Sequence, residues 1–132
     1  MHLEHIGIAV KDLEASKQVF DALFGFQSYK TEAVESEKVK TVFYRTGQSK
    51  VELLQGLSGE DAISKFIEKK GEGIHHLAFE VADIQAEITR LEALGFQFVS
   101  SIPKQGADNK MICFLHPKST NGVLIELCQT IL

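Results

Sequence analysis

The feature that most restricts how this chain can fold is an internal repeat. The run Glu4-His5-Ile6-Gly7-Ile8-Ala9-Val10-Lys11-Asp12-Leu13 returns about seventy residues later as Ile74-His75-His76-Leu77-Ala78-Phe79-Glu80-Val81-Ala82-Asp83-Ile84. In each copy a histidine opens a short apolar run, an aspartate follows, and a helical pattern begins. Two further echoes continue the register: Leu23-Phe24-Gly25-Phe26-Gln27 with Leu94-Gly95-Phe96-Gln97, and Lys50-Val51-Glu52-Leu53-Leu54-Gln55 with Val123-Leu124-Ile125-Glu126-Leu127-Cys128-Gln129. Each copy reads β-α-β-β-β. A module of about sixty residues with a one-sided sheet cannot easily bury its apolar face alone. Pairing two such sheets solves that and creates a cleft along a pseudo-twofold axis. The expected class is therefore α+β, two βαβββ modules pairing into a curved, cleft-forming mixed sheet. Module one spans 1–57, a connecting helix 58–72 and module two 73–132, all within a single domain.

Local patterns fill in the modules. Leu3 to Val10 reads as a strand, with His5, Gly7 and Ala9 on one face and Ile6, Ile8 and Val10 on the other. Asp12 is placed to cap a helix carrying Leu13, Phe20, Leu23 and Phe24, and Gly25 stops it. Phe26 to Tyr29 is expected as a short strand, and the acidic stretch Thr31 to Lys38 as a mobile loop. Val39 to Tyr44 and Lys50 to Leu54 are strands joined by the turn Thr46-Gly47-Gln48-Ser49. Ser58 to Lys70 is the connecting helix, with Ile63, Phe66 and Ile67 on one side. In the second copy Asp83 caps, and Ile84, Ile88, Leu91 and Leu94 form the stripe that Gly95 ends. Phe96 to Ser100 is a strand, Pro103 to Lys110 a polar loop, Met111 to Leu115 a strand, Pro117 to Gly122 a turn and Val123 to Cys128 the last strand.

The repeat also selects the chemistry. Each copy offers one histidine on its first strand and one glutamate on its last: His5 and Glu52, His76 and Glu126. Two-fold pairing brings the four to a common point. Two imidazoles and two carboxylates suit Zn²⁺, Co²⁺, Ni²⁺ or Mn²⁺ and suit copper(I) poorly. Glu126 lies between Ile125 and Leu127, and Glu52 between Val51 and Leu53. An unpaired carboxylate buried in such company costs several kcal/mol, so each should have a cation. His75 points away from His76, which gives it a structural or supporting role, while His2 and His116 lie near chain or strand ends and read as solvated.

Composition excludes other classes. At 132 residues, 44% hydrophobic and 24% charged, with a formal net charge of −4, the composition argues against a nucleic-acid or anionic-membrane partner, which would want a basic face. No apolar run reaches membrane-spanning length and no signal-peptide pattern opens the sequence, so a cytoplasmic location is expected. Cys113 and Cys128 sit far apart in apolar runs and read as buried, reduced thiols. There is no phosphate-binding glycine loop and no G-x-S-x-G. Lys104, Lys110 and Lys118 surround the last three strands, as a solvated turn surface or as a hold on a phosphorylated ligand.

The paired modules with His…Glu…His…Glu resemble the vicinal oxygen chelate (glyoxalase) superfamily along the whole chain. Within it, His5-Ile-Gly-Ile-Ala-Val, Gly73-Ile-His-His-Leu-Ala-Phe-Glu-Val and Phe114-Leu-His-Pro-Lys-Ser…Gly122-Val-Leu-Ile-Glu-Leu are similar to methylmalonyl-CoA epimerases. The resemblance implies an acyl-CoA substrate, a homodimer and a divalent metal, cobalt foremost, held by His5, Glu52, His76 and Glu126. It implies an epimerase that moves the C2 proton of methylmalonyl-CoA while the metal grips the thioester and carboxylate oxygens. Two bases are then needed, one on each face of the planar intermediate. Some epimerases carry glutamine at one ligand position and a separate glutamate on a neighbouring strand as a base. This chain has Glu52 at that ligand position and Val39-Lys40-Thr41-Val42-Phe43 along the neighbouring strand, which makes Glu52 and Glu126 the expected catalytic pair. Glyoxalase I (lactoylglutathione lyase) shares the ligand pattern and is the alternative, as is a non-catalytic ligand-binding member of the fold.

Overall fold

A computed structural model describes residues 1–132. The elements are β1 (His2–Ala9), α1 (Leu13–Phe24), β2 (Lys30–Val34), β3 (Val39–Thr46), β4 (Ser49–Gly56), α2 (Ala62–Lys70), β5 (Gly73–Glu80), α3 (Ile84–Ala93), β6 (Lys104–Gln105), β7 (Lys110–Leu115) and β8 (Ile125–Thr130). A single 3₁₀ turn, Pro117–Thr120, precedes β8. The order βαβββ thus occurs twice, with α2 between the copies, as the repeat requires. No helix is long and apolar enough to cross a membrane. The chain forms two compact units, one of Ile6–His75, the other of Met1–His5 with His76–Leu132.

In the unit Ile6–His75 the strand order is β2-β3-β4-β1. β3 and β4 form the expected hairpin, with Thr46 opposite Ser49 and Gly47 at φ 77°, a conformation that favours glycine. α1 covers one face of this sheet, where Val10, Leu13, Val42, Tyr44 and Leu53 are buried with Phe20 and Phe24 against them. On the other face α2 packs Ile63, Phe66 and Ile67 on Ala9, Val39 and Leu54. Asp61 caps α2 and accepts from the backbone N–H and Oγ of Ser64 and of Ser58. Burial pushes the Asp61 carboxyl up, but these four donors outweigh it and hold it down at about 2. Gly56 leaves room for that cap, because a Cβ there would lie 2.0 Å from Asp61 Oδ1.

One expectation for this unit is corrected. The second strand is Lys30–Val34, all but its first residue within the stretch read as a mobile acidic loop, and it pairs antiparallel with β3 from Lys30↔Phe43 to Val34↔Val39. Phe26, read as a strand residue, instead stacks on Phe24 at 5.6 Å. β2 is an edge strand with exposed and half-buried side chains, so its backbone pairing leaves no hydrophobic period to read.

In the other unit the order is β1-β5-β8-β7-β6, with β5 and β8 parallel and β8, β7 and β6 antiparallel in turn. α3 buries Ile84, Ile88 and Leu91 against Val81, Cys113, Leu115 and Leu127 on one face. Alternation sends His76, Ala78, Glu80, Lys110, Ile112, Phe114, Glu126, Cys128 and Thr130 to the opposite face. Here too an edge was misread. The stretch read as a strand from Phe96 to Ser100 makes only the bridge Phe98↔Leu115, and Lys104–Gln105, in the expected polar loop, pairs with β7. Leu23 and Leu94, taken as members of apolar stripes, are exposed at the ends of their helices.

Candidate metal centre

The parallel register of β5 and β8 sets Ala78 opposite Glu126, and the antiparallel register of β8 and β7 sets Phe114 opposite Glu126. His76 lies two residues before Ala78 on the same face, and His5 joins it from β1. The Nε2 atoms of His5 and His76 are 3.0 Å apart, and the rings meet edge to face at 5.1 Å. Glu126 places Oε2 3.7 Å from His5 Nε2 and Oε1 3.5 Å from His76 Nε2. All three residues are 5% exposed. The His76 ring is held from behind by Phe114, edge to face at 5.7 Å.

This donor set fits a divalent ion. Two ligands at about 2.1 Å and at right angles are about 3.0 Å apart, the separation of the two Nε2 atoms. On its far side His5 Nδ1–H donates to Glu4 Oε1 at 2.8 Å, which leaves the Nε2 lone pair for a metal. Two imidazoles with a carboxylate form a borderline donor set, in the range from Mn²⁺ to Zn²⁺. Within its own unit Glu52 is buried on β4, opposite Phe43 and beside the buried Lys50.

The family model for the Glyoxalase/Bleomycin resistance protein/Dioxygenase superfamily matches residues 4–114. The chain is 39% identical over 129 residues to the ethylmalonyl-CoA/methylmalonyl-CoA epimerase of Cereibacter sphaeroides, covering 96% of each protein. A solved methylmalonyl-CoA epimerase in complex with methylmalonyl-CoA and NH₄⁺ superposes with a TM-score of 0.93 at 34% identity, covering 98% of this chain and 94% of that one. A variant of the Streptomyces coelicolor methylmalonyl-CoA epimerase, in complex with 2-nitronate-propionyl-CoA, gives 0.94 at 34% identity with the same coverage. The chain belongs to the methylmalonyl-CoA epimerase family.

Of the remaining histidines of this epimerase-family chain, His75 falls where strand alternation sends it. His75 lies against Phe66, edge to face at 4.9 Å, and burial pushes its imidazole down to about 4, so it is neutral at neutral pH. His116 accepts from Lys118 N–H at the 3₁₀ turn, and His2 is exposed. Cys113 and Cys128 are buried free thiols, as expected, and burial with the nearby Glu126 charge pushes Cys113 up to about 12.

Lys110 departs from both of its earlier readings, since it is neither a solvated turn residue nor free for a phosphate. Its Nζ donates to Glu80 Oε1 at 2.6 Å and to Thr130 Oγ1 at 2.7 Å, and lies 3.8 Å from Glu4 Oε2. Sequence reasoning therefore missed Glu4, Glu80, Lys110 and Thr130 as supports of the site. Glu80 was within reach, because it shares a strand face with His76. Glu4 gave no spacing signal, since strand alternation alone points it away from His5.

Proposed function

We propose that the protein is a divalent-metal-dependent epimerase that interconverts (R)- and (S)-methylmalonyl-CoA by removing and returning the C2 proton. The buried cluster of His5, His76 and Glu126 carries this reading. The acyl-CoA substrate is supported by the likeness to proteins named for that reaction and to one solved with methylmalonyl-CoA bound. His5, His76 and Glu126 would hold the ion, with Glu52 as fourth ligand by its matching place in the repeat; the donor set suits Co²⁺, Zn²⁺, Ni²⁺ or Mn²⁺, and the family resemblance puts Co²⁺ first. When bound, the ion supplies Lewis-acid stabilisation of the negative charge that grows on the substrate oxygens as C2 loses its proton.

The protein's own part is to move that proton. Glu126 and Glu52 are the two proton carriers: one, as a carboxylate, would take the proton from C2, and the other, protonated and loosened from the ion, would return one to the opposite face. Both are buried in apolar strands, so little water competes during the transfer itself, and each carboxyl re-equilibrates its proton with solvent between turnovers, which is the route by which deuterium reaches C2. The same reading has the chain, as one two-module domain, working as a homodimer in the cytoplasm.

Incubation in deuterated water tests the reading. Deuterium should enter C2 of methylmalonyl-CoA, with no conversion of methylglyoxal plus glutathione, in protein whose metal content has been measured. Turnover of the hemithioacetal instead would make the chain a glyoxalase I. Inertness toward both would leave a binding protein. In the same assay Glu52→Gln should retain metal while turnover falls at least about a hundredfold, the range expected for loss of a general acid–base group. Full activity in that variant removes Glu52 from the catalytic pair.

A further inference from the structure

We infer that Glu4 is the positioning residue for His5, and that Lys110 fixes Glu4 in turn; the inference rests on the metal reading above. Neighbouring residues of a strand point to opposite faces. Glu4 nevertheless brings Oε1 to 2.8 Å from His5 Nδ1, and it is buried while doing so. A carboxylate so placed needs compensation, and the imidazole N–H and the Lys110 ammonium at 3.8 Å from Oε2 supply it.

Lys110 cannot swing away freely. Its ammonium is pinned between Glu80 Oε1 and Thr130 Oγ1, and Glu80 Oε2 accepts in turn from the Thr130 backbone N–H at 3.0 Å and its hydroxyl at 3.2 Å. The chain of contacts therefore runs from β5, β7 and β8 through Lys110 to Glu4, and ends on the ring that must present Nε2. An imidazole has two neutral tautomers, and only the one protonated on Nδ1 offers Nε2 as a ligand. Glu4 selects that tautomer, fixes the ring plane and makes Nε2 more basic. The proton stays on Nδ1 throughout, and Glu4 acts through the ring of His5.

The test compares Glu4→Gln, which keeps an acceptor without charge, and Glu4→Leu, which keeps neither. Co²⁺ affinity is read by competition with a chelator, on protein shown to be folded by circular dichroism. Affinity should fall about 10- to 100-fold in the leucine variant and by less in the glutamine variant. Lys110→Met should weaken it in the same direction, and Lys110→Arg should recover most of the loss. In metal-free parent protein, long-range ¹H–¹⁵N spectra should show His5 protonated on Nδ1, and the leucine variant should shift that proton toward Nε2. A purely structural glutamate would lower stability without moving either readout. Should Glu4→Leu fail to fold, the glutamine variant and the parent spectrum decide alone. Co²⁺ affinity within about twofold of the parent in folded variants, or a parent His5 protonated on Nε2, overturns the inference. A parent that binds Co²⁺ no more tightly than His76→Ala overturns the metal reading itself, and the role of Glu4 with it.

Discussion

At the scale of single residues, His75 and Asp61 each contribute to the expected response of stability to acid. The folded state holds His75 near 4, against about 6.5 for an unburied imidazole. Between these values the unfolded chain binds a proton that the folded chain refuses, so stability rises with pH across that window. The contribution is present in full above about 6.5 and is lost as pH falls toward 4, at most about 3 kcal/mol given the ring's partial burial. Asp61 acts in a separate window. Its carboxyl is held from 3.8 down to about 2, so its stabilisation is present above 3.8 and disappears as pH drops through 2. Urea unfolding from pH 4 to 8 should therefore show a steeper fall for the parent than for His75→Phe. An unchanged slope in that variant would contradict the assignment. The position of His75 followed from strand alternation, but its contact with Phe66 did not, because nothing in the spacing says which side chain of α2 faces it.

At the scale of elements, the repeat extends to hydrogen bonds. Asp12 and Asp83 each accept from the third residue onward, Ala15 N–H and Ala86 N–H. The last-strand glutamines do the matching job from across the sheet. Gln55 Oε1 accepts from Leu13 N–H at 2.7 Å, and Gln129 Oε1 from Ile84 N–H at 2.8 Å. Each satisfies a first-turn donor that has no partner within its own helix. Gln55→Ala and Gln129→Ala should each lower unfolding free energy by about 1 kcal/mol in chemical denaturation. The effects should add, since the glutamines share no partner. These helices were legible because caps and apolar stripes are local signals. The edge strands β2 and β6 were not, because what makes them strands is a neighbour's backbone rather than their own side-chain pattern. The two-residue length of β6 and the charges on β2 are themselves ways of blunting an edge.

At the scale of the whole molecule, duplication made the fold readable and also nominated His5, Glu52, His76 and Glu126 as candidate ligands. Of these four matched members of two copies, His5, His76 and Glu126 place their ligand atoms within 4.8 Å of one another. The apparatus behind them was not legible, since Glu4, Glu80, Lys110 and Thr130 meet only through the strand order β1-β5-β8-β7. That order depends on long-range pairing that no short window of sequence reports.

The central claim is that His5, His76 and Glu126 hold a divalent ion on which proton exchange depends. The most direct measurement is the metal content of purified protein set beside its rate of C2 deuterium exchange, for the parent and for His76→Ala. The account predicts about one ion per chain in the parent, loss of both metal and exchange in the variant, and recovery of exchange when Co²⁺ is returned to chelated parent. Exchange at the full rate by metal-free parent protein would contradict it.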